Sequence, residues 1–224
     1  MKKYFSLIIL FLFTTIFFSC KNSYKIRNYK ENTQGFTSSI SIPEFKNYLT
    51  LNELIKNDVL NTKNDFRDNW AIPTWQIMNE KKEAQGQENE ISSLFYNADS
   101  LVVTDKKYLS VFVKAFFDVG NIVQKQAFSY VWDKDKNKRV NIVEVTGLTL
   151  EEISEKCRED LKLKFSNLPD LERRNVYDYI EYATKPEEKK FSYFSVKNRL
   201  ITVYYLSGKA APEAYGQQIA EFEF

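Results

Sequence analysis

KYLSVFVKAFF, residues 107–117, sets Leu109, Val111, Val113 and Phe117 on one side of an extended chain and Ser110, Phe112, Lys114 and Phe116 on the other. Side chains of a strand alternate between faces, so aromatic residues on both faces predict a strand covered on both, in the middle of a sheet. Similar runs flank it at about 91–103 and 122–133. DKDKNKR (133–139) reads as the turn ending the last of them, and VNIVEV (140–145) as a short edge strand.

Downstream the period changes. Thr149 and Glu152 have the spacing of a capping box, in which hydroxyl and carboxylate cover backbone N–H groups that lack helical partners. Leu150, Ile153, Cys157, Leu161 and Phe165 then recur at helical spacing. Cys157 lies on that stripe and reads as a small core hydrophobe rather than a reactive thiol. Pro169 and Asp170 open another helix, to about Thr184, with Leu171, Tyr179 and Ile180 as its apolar positions. Three strand-like runs close the chain: FSYFSV (191–196), LITVYYL (200–206) and QIAEFEF (218–224). In the last, Ile219, Glu221 and Glu223 alternate with Ala220, Phe222 and Phe224.

Upstream, FTSSISIPEF (36–45) alternates as a strand that Pro43 is expected to stop. Thr50 and Glu53 suggest a second capping box, followed by Leu51, Leu54, Ile55, Val59 and Phe66 on a helix to about Asp68. Trp70 to Trp75, with Pro73 between, reads as an aromatic turn or short extended segment, and NEKKEAQGQENE (79–90) as an exposed loop. Strands and helices in blocks predict an α+β fold, a largely antiparallel β-sheet with two to three helices packed against it.

The first twenty residues point to export. Lys2 and Lys3 precede an apolar run from Phe5 to Phe18, and polarity switches at once after Ser19 and Cys20. That run is short for a membrane span, and its flanks are those of a signal peptide. A cysteine directly after a small residue makes it the lipoprotein kind, although Phe17 stands where such signals favour Leu. The expectation is a signal peptide over 1–19, acyl chains on Cys20, and a solvated tether through Gly35. The anchored body would then be periplasmic or displayed on the outer-membrane surface.

Charge agrees. The chain carries 32 basic and 30 acidic residues, and the excess of two is Lys2 and Lys3. A balanced body argues against nucleic acid, which wants a basic stripe. Cys157 is the one thiol left after acylation, so no intramolecular disulfide is available and core burial must supply the stability.

The C-terminal run FSYFSVKNRLITVYYLSGKAAPEAYGQQIAEFEF (191–224) resembles the end of the RsiV-type extracytoplasmic domain, with Ala211, Pro212, Glu213, Ala214, Tyr215 and Gly216 as its Ala-Pro-x-Ala-x-Gly element. YLSVFVKAFFDVGN (108–121) is similar to the strand leading into that family's Gly-Gly-Ala-His turn, of which Gly120 alone is kept. FSYVWDKDKNKRVNIVEV (128–145) matches the strand and Asp-rich turn that follow it. ISIPEF and LNELI resemble the companion N-terminal domain also found in PdaC-like deacetylases. The resemblance implies an N-terminal PdaC-like part over 36–104 and an RsiV-type part over 105–224. It covers the accessory part of the deacetylases, not their metal-dependent catalytic domain. Family members include anti-sigma factors that sense lysozyme by binding it outside the cell. With a signal beginning at Met1, the expectation here is a lipoprotein and not a transmembrane anti-sigma factor. By its own chemistry the AAPEAYG element reads as a structural corner in preference to a ligand site: Pro212 fixes φ, the alanines allow close approach, and Gly216 permits positive φ. Tyr215 is expected to bury its ring and donate to a backbone carbonyl.

Histidine is absent, which removes Ser-His-Asp and Cys-His catalysis and histidine zinc ligands. Glu151–Glu152 and Glu187–Glu188 are adjacent pairs better suited to a helix start and a loop than to an acid/base dyad. The expectation is therefore a binding module without cofactor or metal, held to a membrane by its lipid and recognising a lysozyme-like protein or peptidoglycan. A structural lipoprotein that docks a partner protein is the alternative, and an enzyme acting on wall glycans the third reading.

Overall fold

The computed structural model describes residues 24–85, 93–118 and 122–224. Cys20, the signal segment and Gly120 lie outside these residues. Six strands form one sheet in sequence order: β1 (Tyr24–Thr33), β2 (Phe36–Phe45), β3 (Leu94–Thr104), β4 (Tyr108–Asp118), β5 (Val123–Asp133) and β6 (Lys138–Arg139). All neighbours are antiparallel except β2 and β3, which run parallel over Phe36–Ile40. A parallel pair needs a long crossover, supplied here by α1 (Leu49–Phe66), a π-helical turn (Arg67–Ala71) and α2 (Ile72–Ala84). The second sheet is the antiparallel meander β7 (Phe194–Lys197), β8 (Leu200–Tyr205) and β9 (Gln218–Glu223). Three helices precede it: α3 (Ile142–Thr146), α4 (Leu150–Lys164) and α5 (Asp170–Ala183). The α+β class and the mainly antiparallel pairing are as expected.

β4 is central, between β3 and β5, and each of its faces enters a different core. Leu109, Val111, Val113 and Ala115 pack with Leu51, Ile55, Val59 and Phe66 of α1. The opposite face turns Tyr108 and Phe112 toward the second sheet. Two buried serines on that face join the sheets. Ser129 Oγ donates to the Phe194 carbonyl at 3.0 Å and accepts from its N–H at 3.3 Å, and Ser110 Oγ accepts from Val196 N–H at 3.0 Å. The free edge of β7 is thus capped by side chains. α4 does the same for β9: Asp160 accepts from Glu221 N–H at 3.0 Å and Lys164 donates to the Ile219 carbonyl at 2.8 Å. The boundary expected near residue 104 falls in the turn between β3 and β4, neighbours in one sheet.

The structure corrects five expectations. The tether is a strand from Tyr24 onward, paired with β2 over ten residues. Pro43 does not stop β2: β3 pairs only as far as Ile40, so at Pro43 one side of the strand is open and a residue without an N–H fits. The Thr50–Glu53 box does not form, because α1 already begins at Leu49 with no side-chain cap. Asn52 instead reaches back to Phe45, accepting from its N–H at 2.8 Å and donating to its carbonyl at 2.7 Å. The Trp70–Trp75 segment and the first part of the polar stretch are helical. Pro73 sits in the first turn of α2, where no N–H is needed, and the π turn absorbs the change of register. Finally, VNIVEV is no strand but the start of α3, with a capping box between Asn141 and Glu144 and Gly147 at φ 71° ending the helix.

The capping box of Thr149 and Glu152 is present, and α4 buries Ile153, Cys157 and Leu161. On α5 the buried stripe is Val176, Ile180 and Ala183; Leu171 and Tyr179 face outward.

Candidate functional site

Ala211 is fully buried in the second core, while Pro212 leads into a 3-10 turn, Glu213–Tyr215, that joins β8 to β9. Gly216 closes the turn at φ 70° and ψ −156°, a conformation that only glycine adopts without strain. The Tyr215 ring stands edge-on to Phe165 at 5.3 Å. Its hydroxyl donates to the Glu172 carboxylate on α5 and not to a backbone carbonyl, which corrects the expectation. The element turns the chain from β8 into β9, and its outer side is also the wall of a groove.

Two adjoining clefts of about 380 and 440 Å³ make up that groove, sharing Lys125, Gln126 and Leu206. The first runs past Lys114, Phe116, Glu213, Ala214 and Gly216. The second is lined by Tyr182, Lys189, Lys190, Tyr193, Tyr204, Tyr205 and Lys209. Its floor is aromatic: Tyr204 stacks on Phe112 at 4.4 Å, with planes 10° apart, and Tyr193 packs on the same phenyl ring at 6.1 Å. Ser195 Oγ lies 2.8 Å from the Tyr204 hydroxyl and holds that ring in place. Tyr182 stands at the rim, 62% exposed, with the Lys190 ammonium 3.7 Å from its ring centroid.

The groove is cationic. Lys125 is neutralised by Glu213 at 2.8 Å, and Lys189 by Glu187 at 2.9 Å. Lys114, Lys190 and Lys209 make no ion pair among the described residues. The lysine at Glu213 holds that carboxyl below the usual carboxylate range, so the acid that lines the groove among the described residues stays ionised and paired. Of the element singled out in the sequence, Glu213, Ala214 and Gly216 line this groove. The lysines and tyrosines come from five separate segments, and no local spacing ties them together.

Of the adjacent carboxylate pairs, Glu187 pairs with Lys189 of the groove. Glu152 accepts from Thr149 N–H at 2.8 Å, which holds it below the ordinary range. Glu188 takes the Asn141 amide at 3.2 Å. Among the described residues no group of His, Cys, Asp and Glu side chains is placed to hold a metal ion, and no helix is long and apolar enough to cross a membrane.

A crystal structure of a DUF3298-family protein from Bacteroides fragilis superposes with a TM-score of 0.63 at 13% identity, covering 89% of this chain and 88% of that one. The two chains share a fold. A DUF3298-family protein from Pseudomonas aeruginosa PAO1 gives a TM-score of 0.59 at 10% identity, with the same 89% and 88% coverage. Identity this low establishes the DUF3298 architecture and nothing about activity. No protein-family model matches the sequence, and no curated protein matches it.

Proposed function

We propose that the protein is an extracytoplasmic binding module, held to a membrane by acyl chains on Cys20, whose tyrosine- and lysine-lined groove takes anionic fragments of peptidoglycan. One observation carries the ligand class: Lys114, Lys190 and Lys209, free of carboxylate partners among the described residues, converge with Tyr182, Tyr193 and Tyr204 on one groove. Tyrosine rings pack against sugar faces, and lysines meet the carboxylates of the lactyl groups and stem peptides. A cleft of about 440 Å³ suits a short saccharide-peptide. A folded protein such as lysozyme would have to match roughly 800 Å² of surface on each partner, beyond the groove itself.

The RsiV-type kinship belongs to the same proposal. It is supported by the AAPEAYG corner, the order of the closing strands and the shared DUF3298 fold. On this reading the protein is a non-catalytic module, and Glu152, Glu187 and Glu188 serve a helix cap, an ion pair and an amide contact.

Co-sedimentation with purified sacculi tests this. The protein should pellet with the wall, and the double charge reversal Lys190→Glu with Lys209→Glu should weaken retention by at least about tenfold, some 1.4 kcal/mol. Equal retention of both proteins would remove the groove from the account. Retention on immobilised lysozyme but not on sacculi would move the partner to a protein, and soluble sugar released from the wall would make it an enzyme.

A further inference from the structure

β1 begins at Tyr24, four residues after Cys20. An extended chain covers at most ~3.3–3.6 Å per residue, so this link spans no more than about 14 Å. The headgroup zone on one side of a bilayer takes up roughly 5–8 Å of that. What remains is about the length of one long side chain. A body acylated at Cys20 therefore has no room to stand off, and its Tyr24 end lies against the headgroups.

That end is built for such contact. Tyr24 faces Phe45 across the β1–β2 ladder, ring centroids 5.4 Å apart, and Tyr48 packs edge-on to Phe45 at 6.3 Å. Leu49 follows directly and is 73% exposed. Lys25 and Lys46 are exposed and make no ion pair among the described residues. Tyr24, Lys25, Lys46 and Leu49 share the wall of one open cleft of about 690 Å³. Amphipathic aromatics, an exposed leucine and unpaired lysines are the side chains that settle at a bilayer interface, where lysine meets anionic headgroups. A large apolar residue left exposed on a helix start, in a cleft it shares with Lys25, Lys46 and Glu44, has no packing role within the fold: Leu49 belongs to none of the hydrophobic cores.

We infer that this end of the molecule seats on a bilayer of anionic phospholipid and fixes the orientation of the body above it. The inference rests on acylation at Cys20. The seat gives the short link a purpose, since a lipid alone anchors without orienting.

The acylated full-length protein is reconstituted with phosphatidylcholine vesicles, with and without phosphatidylglycerol. An environment-sensitive fluorophore is placed on Leu49→Cys and, as control, on Leu171→Cys, a position 84% exposed on α5 in the other half of the fold. Cys157 is fully buried and does not take the label. On phosphatidylglycerol vesicles the Leu49→Cys label should shift to shorter wavelength and the Leu171→Cys label should not. Lys25→Glu with Lys46→Glu should remove most of that shift while flotation with the vesicles is unchanged. Flotation with the Leu49→Cys label still at its aqueous emission, or equal shifts at both positions, overturns the seat and leaves the anchor standing. Protein that fails to float overturns the anchor and the seat together.

Discussion

Glu31 on β1 meets Lys63 of α1 with oxygen and nitrogen 2.5 Å apart, and its second oxygen takes the Arg67 guanidinium at 2.8 Å. One carboxylate thus fastens the first strand to the end of the helix. Burial pushes the Glu31 carboxyl up, but the hydrogen bonds from Lys63 and Arg67 outweigh it and hold its pKa below the usual value. A depressed folded-state pKa stabilises above the ordinary carboxylate range and is lost as pH falls through the folded value. Glu31→Gln leaves Lys63, 9% exposed, without its charge partner and should lower stability by about 1–3 kcal/mol at pH 7. Denaturant melts across pH check the sign: the gap between the two proteins should narrow below about pH 4.

Gly35 turns β1 into β2 at φ +81°, and a Cβ there would lie 2.7 Å from Cγ and Cδ2 of Trp75. Gly35→Ala is expected to cost at least about 2 kcal/mol, from left-handed strain and overlap with the indole. Thermal melts of both single variants and of Gly35→Ala with Trp75→Ala measure the coupling. The double variant should be less damaged than the two losses added together.

Ser129 both donates to and accepts from Phe194 where the two sheets meet, and it is 4% exposed. Ser129→Ala strips the buried Phe194 N–H and carbonyl of their side-chain partner. A loss of about 1–3 kcal/mol is expected in equilibrium unfolding, where Ser166→Ala, with an exposed hydroxyl, should stay within about 0.5 kcal/mol.

Burial pushes the Cys157 thiol up to about 12, and the neighbouring Tyr205 hydroxyl only trims that shift. Thiolate is the reactive form, so native protein should not react with a disulfide reagent at pH 8, and full reactivity should appear in denaturant. A reactive native thiol would contradict its place on the buried face of α4.

Where the sequence carried a strong period, the fold was legible. β4 shows its two buried faces in the aromatic residues on either side, and α4 announces itself by Thr149, Glu152 and the stripe ending at Phe165. β1 was not legible because it is an edge strand with hardly a buried side chain; it is held by pairing with β2 and by Glu31, not by an apolar alternation. Pro43 and Pro73 misled for the same reason: proline breaks structure only where its N–H is needed, and the open side of β2 and the first turn of α2 removed that need. The Asn141–Glu144 box before Gly147 was a readable helix signal, masked by the β-branched residues between. Of the groove, the Glu213, Ala214 and Gly216 wall was in view but not its convergence with the lysines and tyrosines, which meet through the packing of two sheets.

Calorimetric titration with a soluble disaccharide-tetrapeptide tests the central claim most directly. Saturable binding is expected, weakened at least about tenfold by Lys190→Glu with Lys209→Glu and weakened again by added salt. Heats indistinguishable between the parent protein and the double variant, or no binding by either, would contradict a cationic groove that holds the wall.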